Sequence, residues 1–88
     1  MNTSIDISLY PLSDDYLPAI QEFIEAVQKV PGVSVVRNDL STQLYGDYDV
    51  VMDLLKSEIR KSWEKHGKAI FVVKLLLDDL RGLADDGI

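Results

Sequence analysis

The densest run of hydrogen-bonding side chains in this 88-residue sequence is Asn38 and Asp39, followed by Ser41, Thr42, Gln43, Tyr45, Gly46 and Asp47. Ser41 and Thr42 carry hydroxyls that donate and accept, and the Asp47 carboxylate accepts. Such a set can hold a small polar molecule. The same residue types also suit hairpin turns and helix starts, so spacing alone leaves both roles open. Groups able to make or break bonds are scarce. His66 is the sole histidine and sits between Lys65 and Gly67, where a cation meets the negative end of a helix dipole. Acids pair at Asp14-Asp15, Asp47 with Asp49, Asp78-Asp79 and Asp85-Asp86. These read as caps or tails, because glycosidase chemistry needs two acids facing each other across a cleft. There is no cysteine, no cluster with metal-ligand spacing, no P-loop and no glycine-rich phosphate cradle. No catalytic or metal residue is assigned, and no cofactor is expected.

Composition narrows the partners. Hydrophobic residues make up 47 % and charged residues 27 %, values typical of a folded domain. Nine Lys and Arg against fifteen Asp and Glu give a net charge of −6. That argues against nucleic acid, which calls for a basic patch, and against an anionic membrane surface. The longest apolar runs, Ala69 to Val73 and Leu75 to Leu77, are interrupted by Lys74 and fall far short of the roughly 20 residues that span a bilayer. With no leader-like segment at the start, a soluble cytoplasmic protein is expected.

The elements that must position the polar run follow from periodicity. Ile5, Ile7 and Leu9 alternate with Asp6, Ser8 and Tyr10, which predicts a strand over 4–12 with one face buried, ending near Pro11. Tyr16, Ile20, Phe23, Ile24 and Val27 form a helical stripe, with Ser13, Asp14 and Asp15 as cap-type residues ahead of it and Pro31-Gly32 after it. Val33 to Asn38 and Thr42 to Tyr45 read as a hairpin. Asp47 is placed to cap a second helix, whose apolar face is Val50, Val51, Leu54, Leu55, Ile59 and Trp63. Ala69 to Leu77 is the last strand.

Strand, helix, strand, strand, helix, strand predicts an α+β, ferredoxin-like βαββαβ sandwich over residues 4–77. Its four antiparallel strands should run 4-1-3-2 with both helices on one face, covering Ile5, Ile7, Leu9, Phe71, Val73 and Leu75. Residues 78–88 should form an acidic tail or a short helix. The last strand is apolar on both sides, so Ile70, Val72 and Leu76 would stay wet in a lone domain. Covering them favours a second sheet or subunit, hence a homo-oligomer assembled through the sheet.

The chain resembles the small thiamine-binding, YKOF-related proteins. The residues carrying the likeness are Ile7-Ser8-Leu9-Tyr10-Pro11-Leu12, Leu40-Ser41-Thr42-Gln43-Leu44-Tyr45-Gly46-Asp47, Tyr48 to Met52, and Ala69-Ile70-Phe71-Val72-Val73-Lys74. It spans about residues 5–75. The resemblance implies a ferredoxin-like fold, oligomers assembled through the sheets, and binding of thiamine or its hydroxymethylpyrimidine half without catalysis. Carried over by motif, the ligand-binding residues are Ser8, Tyr10, Ser41, Thr42, Gly46 and Asp47. An aminopyrimidine offers ring-nitrogen acceptors and an amine donor to those hydroxyls and that carboxylate. Tyr10 or Tyr45 could stack on the ring or meet a thiazolium cation. The competing expectation is an interaction module that uses the open apolar sheet face and takes no small ligand. An enzyme ranks third, because no nucleophile–base pair is visible.

Overall fold

The computed structural model describes residues 1–82. Alternation sets the first strand, β1 (Asn2–Pro11), and its buried side chains Ile5 and Ile7 lie beneath the helices. The strand begins earlier than the apolar alternation suggests, because Asn2 and Thr3 pair with Asp47 and Gly46. The first helix, α1 (Leu17–Gln28), turns Ala19, Phe23, Ile24 and Val27 inward. Its N-cap is Tyr16, with no side-chain cap bond, so Ser13, Asp14 and Asp15 do not cap it. Pro18 removes one of the amide donors that a cap would otherwise satisfy.

The hairpin strands are β2 (Ser34–Arg37) and β3 (Thr42–Asp47), and the second helix, α2 (Tyr48–His66), follows without a gap. Asp47 caps α2 as expected: its carboxylate accepts from the backbone N–H of Asp49 at 3.1 Å and of Val50 at 3.3 Å. Val51, Leu54 and Leu55 are buried, whereas Val50 and Trp63 are exposed. Trp63 still has a fixed place, donating its indole N–H to the Ala69 carbonyl and meeting Phe71 edge-on at 5.8 Å. The last strand is β4 (Ala69–Leu77).

All strand pairs are antiparallel, in the order β2-β3-β1-β4, which is the predicted ferredoxin-like topology. The core lies between the sheet and the two helices: Ile5, Ile7, Phe23, Val27, Leu44, Val51, Leu54 and Leu55. The expectation that the helices also cover Val73 and Leu75 fails. Both are exposed, because the core gathers over β1 and β3 and leaves the outer strand beyond the helices' reach.

Residues 78–82 fold back at the end of β4, with Asp78 in the left-handed region at φ 75°. The Ser4 hydroxyl anchors this turn, donating to the Asp78 carbonyl at 2.7 Å and accepting from the Leu80 N–H at 2.8 Å. Residues 78–82 form this turn, and the remainder of the expected acidic tail or short helix, residues 83–88, lies outside the described residues.

The helices are joined at one end by a charged clasp. Glu22 accepts from Lys65 Nζ at 2.8 Å and lies 2.7 Å from His66 Nε2. The Lys65 hydrogen bond, with that of His66 behind it, holds the Glu22 carboxyl below its ordinary value of 4.5. A carboxyl with a depressed pKa stabilises the fold above its unfolded value and loses that contribution as pH falls through the lower, folded one. Glu22→Gln should therefore destabilise the protein slightly at neutral pH, and the gap to wild type should close below about pH 4.5. Urea midpoints measured across that range check this. The clasp is solvent-exposed, so the effect is small.

Candidate functional site

The sheet leaves a gap at one end. Pairing of β1 with β3 stops at Ile7 opposite Thr42, whereas pairing of β1 with β4 continues to Pro11 opposite Ala69. Ser8, Leu9 and Tyr10 therefore have a strand on one side only. The β2–β3 turn rises on the open side, and the first half of α1 closes the top. Together they enclose a cleft of about 430 Å³, within the roughly 300–1,000 Å³ common for small-molecule sites.

The strand registers put the candidate residues on different faces of the sheet. Thr42 stands opposite Ile7 and so faces the helices. Ser8 and Tyr10 stand opposite Val72 and Ile70, on the other face. Within a continuous sheet these two sets could not meet. At a local edge both can, and Ser8, Tyr10, Ser41 and Thr42 all line the cleft. Its apolar wall is Ile7 and Leu9 with Ile20, Phe23 and Ile24 from α1.

The polar side of the cleft is partly committed already. Asn38 holds the turn, its side-chain oxygen accepting from the N–H of Leu40 at 2.8 Å and of Ser41 at 3.0 Å. Ser8 donates to the Leu40 carbonyl at a long 3.4 Å. Ser41 Oγ accepts from Gln43 Nε2 at 2.7 Å, which leaves its own proton for another acceptor. Thr42 is 8 % exposed, and its hydroxyl makes no hydrogen bond among the described residues. Arg37 and Asp39 add one charge of each sign to the lining, neither of them ion-paired among the described residues. Asn38 and Asp39 belong to the polar run that stands out in the sequence but are not among the six residues carried over by motif, and Arg37 belongs to neither set. The available signal was position: each adjoins the turn that Ser41 and Thr42 close.

Gly46 and Asp47 are not brought to this cleft. They lie at the far end of β3, four and five residues from Thr42, or roughly 13–17 Å at the usual rise. Each has a structural reason to be there. A Cβ on Gly46 would sit 2.8 Å from the Gly32 carbonyl oxygen, so the strand needs glycine to pass that turn. The Asp47 carboxylate is taken up by the start of α2. Tyr45 is absent from the lining too. It stands opposite Ser4 on the open face, with the Arg81 guanidinium 5.0 Å from its ring centre. Tyr10 is the aromatic ring that borders the cleft.

Other groupings offer less chemistry. His66, Glu22 and Ser62 line a smaller groove of about 190 Å³ between the helices. The Ser62 hydroxyl there is shut off from solvent without a hydrogen-bond partner, so it is neither accessible nor activated by a base. Among the described residues no three His, Asp or Glu side chains converge as a metal site, and no helix is long and apolar enough to cross a membrane.

Comparison with known proteins places this geometry in context. The chain is similar in structure to a Streptococcus pneumoniae protein at 22 % identity and a TM-score of 0.83, covering 98 % of this chain and 97 % of that one. It is similar to a Methanocaldococcus jannascii protein at 19 % identity and a TM-score of 0.80, over 98 % and 96 % of the two chains. A Thermotoga maritima protein, provisionally named for thiamine biosynthesis/salvage, matches at 18 % identity and a TM-score of 0.78, over 89 % and 85 %. At these identities the likeness is one of fold. No curated protein matches the chain in sequence. The model of the YKOF-related family matches residues 2–76, nearly the whole of the four strands and two helices. The chain is therefore a member of the YKOF-related family.

Proposed function

We propose that this protein binds thiamine or its hydroxymethylpyrimidine moiety in the cleft beside the β2–β3 turn, without catalysis, as a homo-oligomer. The observation that carries the reading is the Thr42 hydroxyl, which makes no hydrogen bond among the described residues, on a largely buried residue that lines a cleft with Ser8, Ser41 and Tyr10. That hydroxyl is free to donate to and accept from a bound molecule. The apolar wall from α1 suits one face of a flat ring, and Tyr10 can stack from the rim. Asp39 gives the cleft an acceptor for an amine or a counter-charge for a thiazolium. Family membership and the name of the Thermotoga maritima protein favour this ligand class over other nitrogen heterocycles. Gly46 and Asp47 have no part in the proposed contact.

Titration calorimetry with thiamine and with hydroxymethylpyrimidine tests the reading, and no heat at millimolar concentration of either would end it. Thr42→Ala should weaken binding by about 1 kcal/mol, roughly fivefold in Kd, as for one lost neutral hydrogen bond. An unchanged Kd would move the ligand away from Thr42.

The second reading, an interaction module with no small ligand, draws on Ile70, Val72 and Leu76, all exposed on the open face. Under it, Thr42→Ala changes no binding event, and Val72→Asp abolishes assembly.

A further inference from the structure

The cleft carries one charge for which a bare nitrogen heterocycle has no use. Arg37 is the last residue of β2 and stands opposite Thr42 at the final rung of the hairpin. The two therefore share the helix-facing side of the sheet, with Cβ atoms about 4.5–5.5 Å apart. Asp39 borders the same cleft two residues further on, yet the two charges form no ion pair. Spacing alone does not keep them apart. In the turn after β4, Asp79 and Arg81 are also two residues apart, and there Arg81 Nε donates to both carboxylate oxygens, at 2.9 and 3.1 Å. Arg37 is still held in the ladder, whereas Asp39 lies beyond it in the turn that Asn38 braces. The hairpin so presents a cation and an anion separately to whatever enters the cleft. Thiamine answers only one of them: its amine and its thiazolium both call for Asp39, and the thiazolium would meet Arg37 as a like charge.

We propose that the cleft selects the phosphate ester of hydroxymethylpyrimidine, and that Arg37 is the residue that sets this specificity. The proposal rests on the heterocycle reading above and narrows it. An aminopyrimidine phosphate has one group for each charge. Its amine donates to Asp39, a ring nitrogen accepts from Thr42, and the phosphate takes the guanidinium of Arg37, whose planar fork matches phosphate oxygens two at a time. The apolar wall of Ile20, Phe23 and Ile24 keeps water from one side, so this contact is screened less than one on an open surface. Phosphate alone fares worse, because Asp39 stays unpaired on the same rim and repels it. The net charge of −6 opposes an anion at long range, but screening beyond about 8 Å in physiological salt leaves the local contact to decide.

Titration calorimetry of the full chain with hydroxymethylpyrimidine, its monophosphate and inorganic phosphate tests this. The monophosphate should bind about tenfold or more tighter than the alcohol, and inorganic phosphate more weakly than the ester. Arg37→Gln should remove the advantage of the ester and leave the Kd of the alcohol as in wild type. Arg37→Lys should restore only part of it, since an ammonium is a point charge without the fork. Arg37 is exposed, so neither variant disturbs the core, and circular dichroism should be that of wild type. An ester that binds no tighter than the alcohol, or an advantage that survives Arg37→Gln, overturns the proposal and leaves the heterocycle reading standing. Inorganic phosphate binding as tightly as the ester, with no heat from the alcohol, overturns both, as does the absence of heat from alcohol and ester alike.

Discussion

Leu44→Ala is expected to cost about 2–5 kcal/mol, a large share of the roughly 5–15 kcal/mol that holds such a domain together. Leu44 is fully buried and sits in the middle of β3, between Ile5 on β1 and Val35 on β2. It belongs to the same cluster as Phe23 and Val27 of α1 and Val51, Leu54 and Leu55 of α2. Truncation removes several methyl groups from the point where the sheet meets both helices, and strands paired on both sides cannot collapse to fill the void. The urea midpoint should fall sharply with little change in slope. Leu44 does not line the cleft, so affinity for the proposed ligand should drop only as far as the folded population drops. A loss below about 1 kcal/mol would mean that the core is not centred on β3.

Gly46→Ala should be the most damaging single methyl group in the sheet. The added carbon would lie 2.8 Å from the Gly32 carbonyl oxygen and 3.3 Å from Val51 Cγ2. The first of these is backbone in a tight turn, and the second is a fully buried core side chain, so neither yields cheaply. Overpacking of this kind costs about 1–3 kcal/mol, which lowers the thermal midpoint by roughly 5–20 °C for a domain of this size. The folded variant should match wild type in titrations with the proposed ligand, since Gly46 lies at the opposite end of β3 from the cleft. The reverse outcome, an unchanged midpoint with binding lost, would return Gly46 to the ligand site.

These two variants mark where reading by motif and reading by geometry part. Ser8, Tyr10, Ser41, Thr42, Gly46 and Asp47 enter together from the family resemblance. Four of them line one cleft, and two are needed by the fold. A motif of consecutive residues on a strand records proximity in sequence, but a six-residue strand is long enough to serve two sites at its two ends. Tyr45 shows the same limit: its neighbour Leu44 is core, while its own ring lies under Arg81 on the other face.

The order of elements, the antiparallel 4-1-3-2 sheet, the cap at Asp47 and most of the core are legible from residue types and their spacing. Each of these is local or periodic: a period of two, a helical stripe, a carboxylate ahead of a helix. Tertiary structure alone decided that β1 outruns β3 by four residues and so opens a cleft in which both faces of the sheet meet. It also decided that β4 lies beyond the helices, with Val73 and Leu75 uncovered. Alternation tells which side of a strand a residue takes. It carries no information on where a neighbouring strand stops or how far a helix reaches across the sheet, because register and packing are set by contacts between residues distant in the chain.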